Sequence, residues 1–306
     1  MMPELTGSLD GLKVLDIADL EEYQTAISAG RQMGWHYFFP SLLARNRPGR
    51  SAVLYTIDAE SACIFIWRTK NGKPRIDLLL PPTPMNVPVL LRCIERANDF
   101  NGDTSARILR IDAQDAGAIK AARFRVKPRK SQYLYEPQVY RDLRGKKFYT
   151  VRRNSTPISL RPDIEVVPFA PTHARACHAL LENWRRAHRQ RHGTIGGIGM
   201  SRRAIDLATM LPQDVLGGQV VLIDGQLVAF ALGGKIRSGL ACSFERKCSA
   251  EPKGLSYFQL HQFLLGFSEF GRVNDGSDAG RAGLRQLKES FRPVAMHVEH
   301  RGTQRT

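Results

Sequence analysis

The run Gly218-Gln219-Val220-Val221-Leu222-Ile223-Asp224-Gly225-Gln226-Leu227-Val228-Ala229-Phe230-Ala231-Leu232-Gly233-Gly234-Lys235-Ile236 reads as two β-strands folded about Asp224-Gly225. Both flanks are rich in apolar and β-branched residues, and an Asp-Gly pair tolerates the two positive-φ positions of a two-residue hairpin turn. The pattern predicts strands over 218–224 and 227–236. Working toward the C-terminus, 239–247 continues as a strand and 248–254 is a polar loop. A helix over 255–269 carries an aromatic stripe (Tyr257, Phe258, Phe263, Phe267), followed by a short strand over 272–274, a helix over 280–291 and a strand over 294–298. Residues 300–306 are expected to fray. Toward the N-terminus, 200–211 is a helix. Another, over 171–191, places Cys177, Leu180, Leu181 and Trp184 on one face by 3.6-residue periodicity, and 164–169 is a strand.

The first half has a comparable order. A helix lies within 12–34, with Asp19 as its expected cap. Strands follow over 52–57, 63–68 and 75–80, and Pro81-Pro82-Thr83-Pro84 is expected to break the chain. A helix over 87–100 is capped by Asn86, 106–111 is a strand, and 112–122 is a helix opened by Asp112. Helix, antiparallel strands, loop, helix, strand, helix, strand is the order of an N-acetyltransferase-like (GNAT) domain. The expectation is an α+β protein of two tandem domains, 1–132 and 133–306, each a mixed, mostly antiparallel sheet flanked by helices.

With 42% apolar and 24% charged residues, the 306-residue chain has a globular composition and not a disordered one. Its longest apolar run, 220–234, is interrupted by Asp224, Gly225 and Gln226, too early for a bilayer span of about 20 residues. The opening Met1-Met2-Pro3-Glu4 predicts no signal peptide. Five cysteines without a CxxC pair fit reduced thiols in a cytoplasmic protein, and no Cys/His spacing predicts a metal site. The net charge of +16 points to a polyanionic partner: nucleic acid, an anionic membrane surface or a phosphorylated cofactor. Twelve basic residues lie between Lys120 and Arg153, opposed by Glu136 and Asp142, and four arginines crowd 185–192.

Several stretches carry a family resemblance. They are Leu143-Arg144-Gly145-Lys146-Lys147-Phe148 running into Arg152-Arg153-Asn154, the Cys177 to Trp184 helix, and the Asp224-Gly225 hairpin followed by Phe244-Glu245-Arg246-Lys247. The most specific is Asn274-Asp275-Gly276-Ser277-Asp278-Ala279-Gly280 leading to Gly283-Leu284-Arg285-Gln286-Leu287-Lys288-Glu289-Ser290-Phe291-Arg292-Pro293, and Trp35–Pro40 is a weaker echo. Over roughly residues 133–298 the chain resembles the C-terminal catalytic domain of bacterial phosphatidylglycerol lysyltransferases and its soluble relatives. The resemblance implies a tandem acetyltransferase-like fold and transfer of an aminoacyl group from aminoacyl-tRNA to a lipid, peptide or small molecule. Aminoacyl-tRNA would be a co-substrate, with no bound cofactor. Gly276 stands where relatives often carry an acidic residue, which leaves the acceptor open. The large N-terminal membrane region of the lipid-modifying enzymes is absent, so a soluble acceptor is the expectation.

Attack on an aminoacyl ester needs a path for the tRNA 3′ end, oxyanion stabilisation and proton handling. Lys146, Lys147, Arg152, Arg153 and Lys253 are candidates to track phosphates, against a merely solvated basic face. Glu245, ending an apolar strand, is a candidate to orient the aminoacyl ammonium or act as base, against an ion pair with Arg246 or Lys247. Asp278 and Tyr257 are further catalytic candidates, against a helix cap and a core aromatic. Asn274, Arg285, Lys288 and Ser290 are candidates to bind substrate, with Arg285 and Lys288 spaced to clamp a phosphate from one helix face. An acyl-CoA donor is the alternative. The loop 246–254 has one glycine, an acid and a proline, a poor nest for pyrophosphate. A non-catalytic module binding nucleic acid or an anionic surface is the third reading. The glycine-rich 193–199 does not follow a strand and is read as a lid or linker, not as a dinucleotide loop.

Overall fold

The Asp224-Gly225 turn adopts φ of 51° and 71°, the positive values that a right-twisted two-residue hairpin requires. The computed structural model describes Leu9 and residues 11–70, 72–192 and 197–305. Positions 1–8 and 193–196, where the leader and lid readings fall, lie outside the described residues.

In chain order the elements begin with β1 (Lys13–Val14), α1 (Leu20–Ser28), α2 (Phe39–Leu43), β2 (Ser51–Asp58), β3 (Ser61–Lys70) and β4 (Lys73–Thr83). Next come α3 (Val87–Asn101), β5 (Arg107–Ile111), α4 (Ala116–Ala121) and β6 (Phe124–Tyr135). The second half holds α5 (Tyr149–Ser159), β7 (Ile164–Pro168), α6 (Ala174–His192), α7 (Ile198–Met210), β8 (Gly217–Ile223) and β9 (Gln226–Arg237). It closes with β10 (Leu240–Cys248), α8 (Leu255–Leu265), β11 (Arg272–Asn274), α9 (Ala282–Ser290) and β12 (Ala295–Gln304). The class is α+β, with mixed, largely antiparallel sheets flanked by helices.

Two units divide the chain: Met1–Ser131 with His297–Thr306, and Gln132–Met296. The sequence reading kept 133–306 together; the structure assigns the last residues to the first unit. In that unit β2, β3 and β4 pair antiparallel, β4 and β5 pair parallel, and β12 pairs antiparallel with β5. In the second, β8, β9 and β10 pair antiparallel, β10 and β11 pair parallel, and Leu134 and Tyr135 of β6 pair antiparallel with β11. The strand plan is the same in both, and each unit receives its last strand from the other half of the sequence. The tail expected to fray is therefore strand, because His300, Gly302 and Thr303 find ladder partners in Ile111, Ile108 and Arg107.

Other local expectations also change. Pro81 and Pro82 lie inside β4. The β3 ladder shifts register on either side of Ile64, and the β5 pairing is at Leu78, short of the prolines, so their missing N–H groups break no regular ladder. Asp19 does not cap α1 through its side chain; it accepts from the Asp16 N–H and pairs with Lys13 at 2.6 Å. Asp112 does not open α4. It is buried at the end of β5, accepting from the Met33 and Gly34 N–H groups at 2.7 and 2.9 Å and lying 3.2 Å from His297. Asn86 does cap α3, accepting from the Val89 N–H.

Leu54, Phe65, Leu78, Ile94, Ile108 and Phe124 belong to the core of the first unit. Tyr135, Tyr140, Phe148, Leu260, Leu264 and Phe291 belong to that of the second. Two tyrosine hydroxyls of that second core are satisfied by backbone: Tyr135 donates to the Lys288 carbonyl and Tyr140 to the Phe291 carbonyl. These bonds fix both ends of the C-terminal turn of α9, the helix that carries Lys288.

Candidate functional site

β10 and β11 run side by side over Leu240, Ala241 and Cys242, opposite Arg272, Val273 and Asn274. Beyond that point β11 ends, while β10 continues against β9 through a bulge between Ser243 and Glu245. The parallel pair therefore opens at its C-terminal end, the usual place for a ligand between parallel strands. The bulge re-aims the side chains that follow it.

Asp275, the residue directly after β11, is the hub of this opening. Its carboxylate is 2% exposed and accepts from Arg246 Nη2 at 2.9 and 3.1 Å and from Lys288 Nζ at 2.7 Å. Lys288 also donates to the Asp275 and Gly276 carbonyls, and its ammonium lies 5.4 Å from the Tyr133 ring centre. Burial pushes the Asp275 carboxyl up, but Arg246 and Lys288 outweigh it and hold the group below the usual carboxylate range. Burial lowers Lys288, with Asp275 offsetting part of the effect and Arg246 adding to it. Two cations against one anion leave the cluster with a surplus positive charge. Arg246 uses Nε on the Ser243 hydroxyl and Nη2 on Asp275. Among the described residues nothing takes its Nη1.

Beside Asp275, Asn274 is fully buried, donating to Gln132 at 2.6 Å and accepting from the Gly276 N–H at 2.8 Å. Gly276 has φ of 64° and its carbonyl accepts from the Tyr133 N–H. A left-handed residue is required there, which suits glycine. Asp278 accepts from Tyr133 Oη at 3.0 Å, Arg285 Nε at 2.7 Å and the Gly280 N–H at 2.8 Å. Arg285 is the main reason its carboxyl is held low. Asp278 thus ties the loop before α9 and does not cap that helix, whose N-cap is Arg281.

Glu245 accepts from Ser201 Oγ at 2.9 Å and from Lys247 Nζ at 2.7 Å. The competing ion-pair reading is therefore realised with Lys247, while Arg246 turns to Asp275. Lys247 Nζ and Arg281 Cζ lie 5.2 and 5.9 Å from the Trp184 ring, which stacks on His188. The helices α6 and α7, through Trp184 and Ser201, thus meet the opened part of β10.

The phosphate clamp expected of Arg285 and Lys288 does not form. Lys288 is buried and saturated by Asp275 and two carbonyls, whereas Arg285 is half exposed on Asp278. One helical turn separates them, but each follows a different acid. Ser290 back-bonds to the Gln286 carbonyl. Tyr257 stacks on Phe291 against the core, which is the packing role that competed with catalysis. Arg152 donates to the Leu143 and Gly145 carbonyls, so it braces the turn before α5. Lys146, Lys147, Arg153 and Lys253 are exposed. Lys147, Arg285 and Arg292 line a cavity of about 280 Å³ with Thr150, Glu289 and Ser290. Arg185 and Arg186 both pair with Glu182.

The loop after β10 ends at Gly254, φ 94°, where a Cβ would fall 2.1 Å from the Asn154 carbonyl of α5. This glycine serves the packing of α8 on α5. Gly254→Ala should cost roughly 2–5 kcal/mol, combining a strained φ with overpacking against rigid backbone. Urea unfolding would measure it, and an unchanged midpoint would show that the loop re-forms without strain.

Sequence reasoning missed Asp275, Arg246, Lys247, Ser201 and Trp184 as site residues. For Asp275 a signal existed: an acid directly after the short predicted strand 272–274, as Asp112 follows the strand ending at Ile111 in the first half.

The profile of the family described as phosphatidylglycerol lysyltransferase, C-terminal, matches residues 53–298. A search of curated proteins finds no match. Among solved structures, a conserved protein of unknown function from Bacteroides thetaiotaomicron superposes with a TM-score of 0.81 at 18% identity, covering 96% of this chain and 99% of that one. L-PGS from Bacillus licheniformis superposes with a TM-score of 0.67 at 16% identity, covering 96% and 94%. FemX gives 0.65 at 8% identity, covering 96% and 97%. These likenesses concern the fold.

Proposed function

The chain belongs to the phosphatidylglycerol lysyltransferase C-terminal family, and from this we propose that it is an aminoacyltransferase that moves an aminoacyl group from aminoacyl-tRNA to an amine or hydroxyl acceptor. The observation that carries the reading is the family match across 53–298, beside a second unit whose parallel strands open onto a buried, net-positive cluster.

The acceptor's nitrogen or oxygen attacks the ester carbonyl, and the bond to the tRNA 3′ ribose oxygen breaks. Negative charge gathers on the carbonyl oxygen between these events. Arg246, anchored through Nε and Nη2, has Nη1 left to meet that charge, and fixed donors of this kind lower the barrier by several kcal/mol. Asp275 and Lys288 are positioning residues: they hold the guanidinium and the Asp275–Gly276 backbone. Glu245, held by Ser201 and Lys247, orients the aminoacyl ammonium or takes the acceptor's proton. Lys146, Lys147, Arg153 and Lys253 follow the tRNA phosphates, and the Lys147–Arg285–Arg292 cavity is sized for a phosphate with its sugar. No described helix is long and apolar enough to cross a membrane, so a soluble acceptor or a head group reached at a surface both suit this chain.

The test is transfer of label from a pool of aminoacyl-tRNAs to acceptors in a cell extract, with labelled acetyl-CoA in parallel. Label should leave one aminoacyl-tRNA and appear in a new product, and Glu245→Gln should reduce that rate by about a hundredfold or more, the low end of what general acid–base groups supply. Transfer from acetyl-CoA alone would sink the reading in favour of an acyl-CoA N-acyltransferase.

A further inference from the structure

The densest basic run has a part that the transfer site does not use. Lys120, Arg123, Arg125, Lys127, Arg129 and Lys130 all lie in the first unit and are exposed. Among the described residues, Arg129 pairs with Glu299, and the other five have no ion pair. On β6, Phe124 and Val126 face the core of the first unit. The period of two then sends Arg125, Lys127 and Arg129 to the opposite face, about 7 Å apart. That face is extended sideways. Glu299 of β12, 3% exposed, receives both Arg129 and, through the same oxygen, Arg110 of β5. His36 sits on the other Glu299 oxygen, with Arg45 3.2 Å behind it. Two arginines, Arg110 and Arg129, thus bond one buried acid directly, and a third, Arg45, reaches it through His36. The single carboxylate lets the guanidiniums converge without neutralising them.

We propose that this face binds the phosphate backbone of RNA, with the row Arg125, Lys127 and Arg129, continued by Arg110, meeting successive phosphates. A rigid strand bearing a cation at every second residue matches a linear polyanion. No apolar residue interrupts the outward row, whereas surface binding to lipid normally inserts apolar side chains beside the charges. The choice of RNA rests on the transfer reading, in which the face holds the aminoacyl-tRNA at a place other than the ester.

The experiment compares two double variants of the full chain in binding uncharged tRNA by fluorescence anisotropy between 50 and 200 mM salt. Arg125→Glu/Lys127→Glu reverses the row. Arg50→Glu/Lys73→Glu makes the same charge change at exposed positions elsewhere in the first unit. The row variant should bind about tenfold or more weakly than the control pair, and its log–log salt slope should fall by about two. Equal losses in the two variants overturn the proposal, as general charge would then suffice. A row-specific loss on vesicles of phosphatidylglycerol and phosphatidylcholine, with tRNA binding equal in both variants, overturns it in favour of a lipid surface. Aminoacyl transfer by the wild type without a row-specific tRNA defect defeats this proposal alone. A row-specific defect in a protein that transfers nothing upholds it and defeats the transfer reading.

Discussion

Asp275→Asn should unfold the second unit far more readily than any surface change. The substitution keeps the shape of the side chain and removes the one negative charge between Arg246 and Lys288, both within 3 Å of its carboxylate. All three side chains are nearly or wholly out of water, so the remaining cations repel each other with little screening. Removing one partner of a buried ion pair costs about 3–5 kcal/mol, which for a unit of this size lowers the melting temperature by on the order of 10 °C. The pH dependence has a definite sign. Asp275 is held below its ordinary range in the folded state, so the unfolded chain binds its proton first on acidification. The stability it contributes is complete above the unfolded value of about 3.9 and is lost as pH falls through the lower folded value. Lys288 works at the other end. Its folded value is lowered, so the folded protein releases the proton before the unfolded chain does, and stability rises with pH between the lowered value and about 10.5. Thermal melts of wild type and Asp275→Asn across this range would measure both. A variant within about 1 kcal/mol of wild type would mean that the cluster is not the buried charge hub described here.

What could be read in the sequence was what depends on neighbours along the chain. The Asp224-Gly225 hairpin, the Asn86 cap and the alternation of helices with strands are local, and they appear as expected. What could not be read depends on partners far away. His300-Arg301-Gly302-Thr303-Gln304 has no strand-like alternation of apolar residues, yet it is strand because β5 offers an open ladder. Pro81 and Pro82 signal a break in isolation, yet sit in β4 where the ladder is irregular. The site shows the same division. Glu245 and the segment 274–288 were located from the residues that carry the family resemblance, but the roles within that segment were not. Lys288 and Arg285 look alike by spacing. They differ because Asp275 draws one inward and Asp278 keeps the other at the surface, a difference set by the backbone turn at Gly276 and by β6 reaching β11 from the other half of the chain.

That division bears on the second large effect, expected in rate. Arg246→Lys keeps the positive charge beside Asp275, so the destabilising imbalance of Asp275→Asn does not arise and the fold should lose no more than about 1.5–3 kcal/mol, the range of a lost charge-assisted hydrogen bond. What disappears is the fork. An ammonium at the end of a flexible stem cannot bond Ser243 and Asp275 and still present a third donor in a fixed direction. If Nη1 of Arg246 meets the developing oxyanion, its loss should lower kcat for aminoacyl transfer by about 10²–10³ with a small change in KM, since such a donor acts in the transition state and not in the ground state. Single-turnover transfer with saturating aminoacyl-tRNA would isolate the chemical step. A rise in KM at constant kcat would instead make Arg246 a ground-state anchor for the substrate. A rate equal to wild type would remove it from the chemistry altogether and leave the Glu245, Ser201 and Lys247 group as the place where the reaction is assisted.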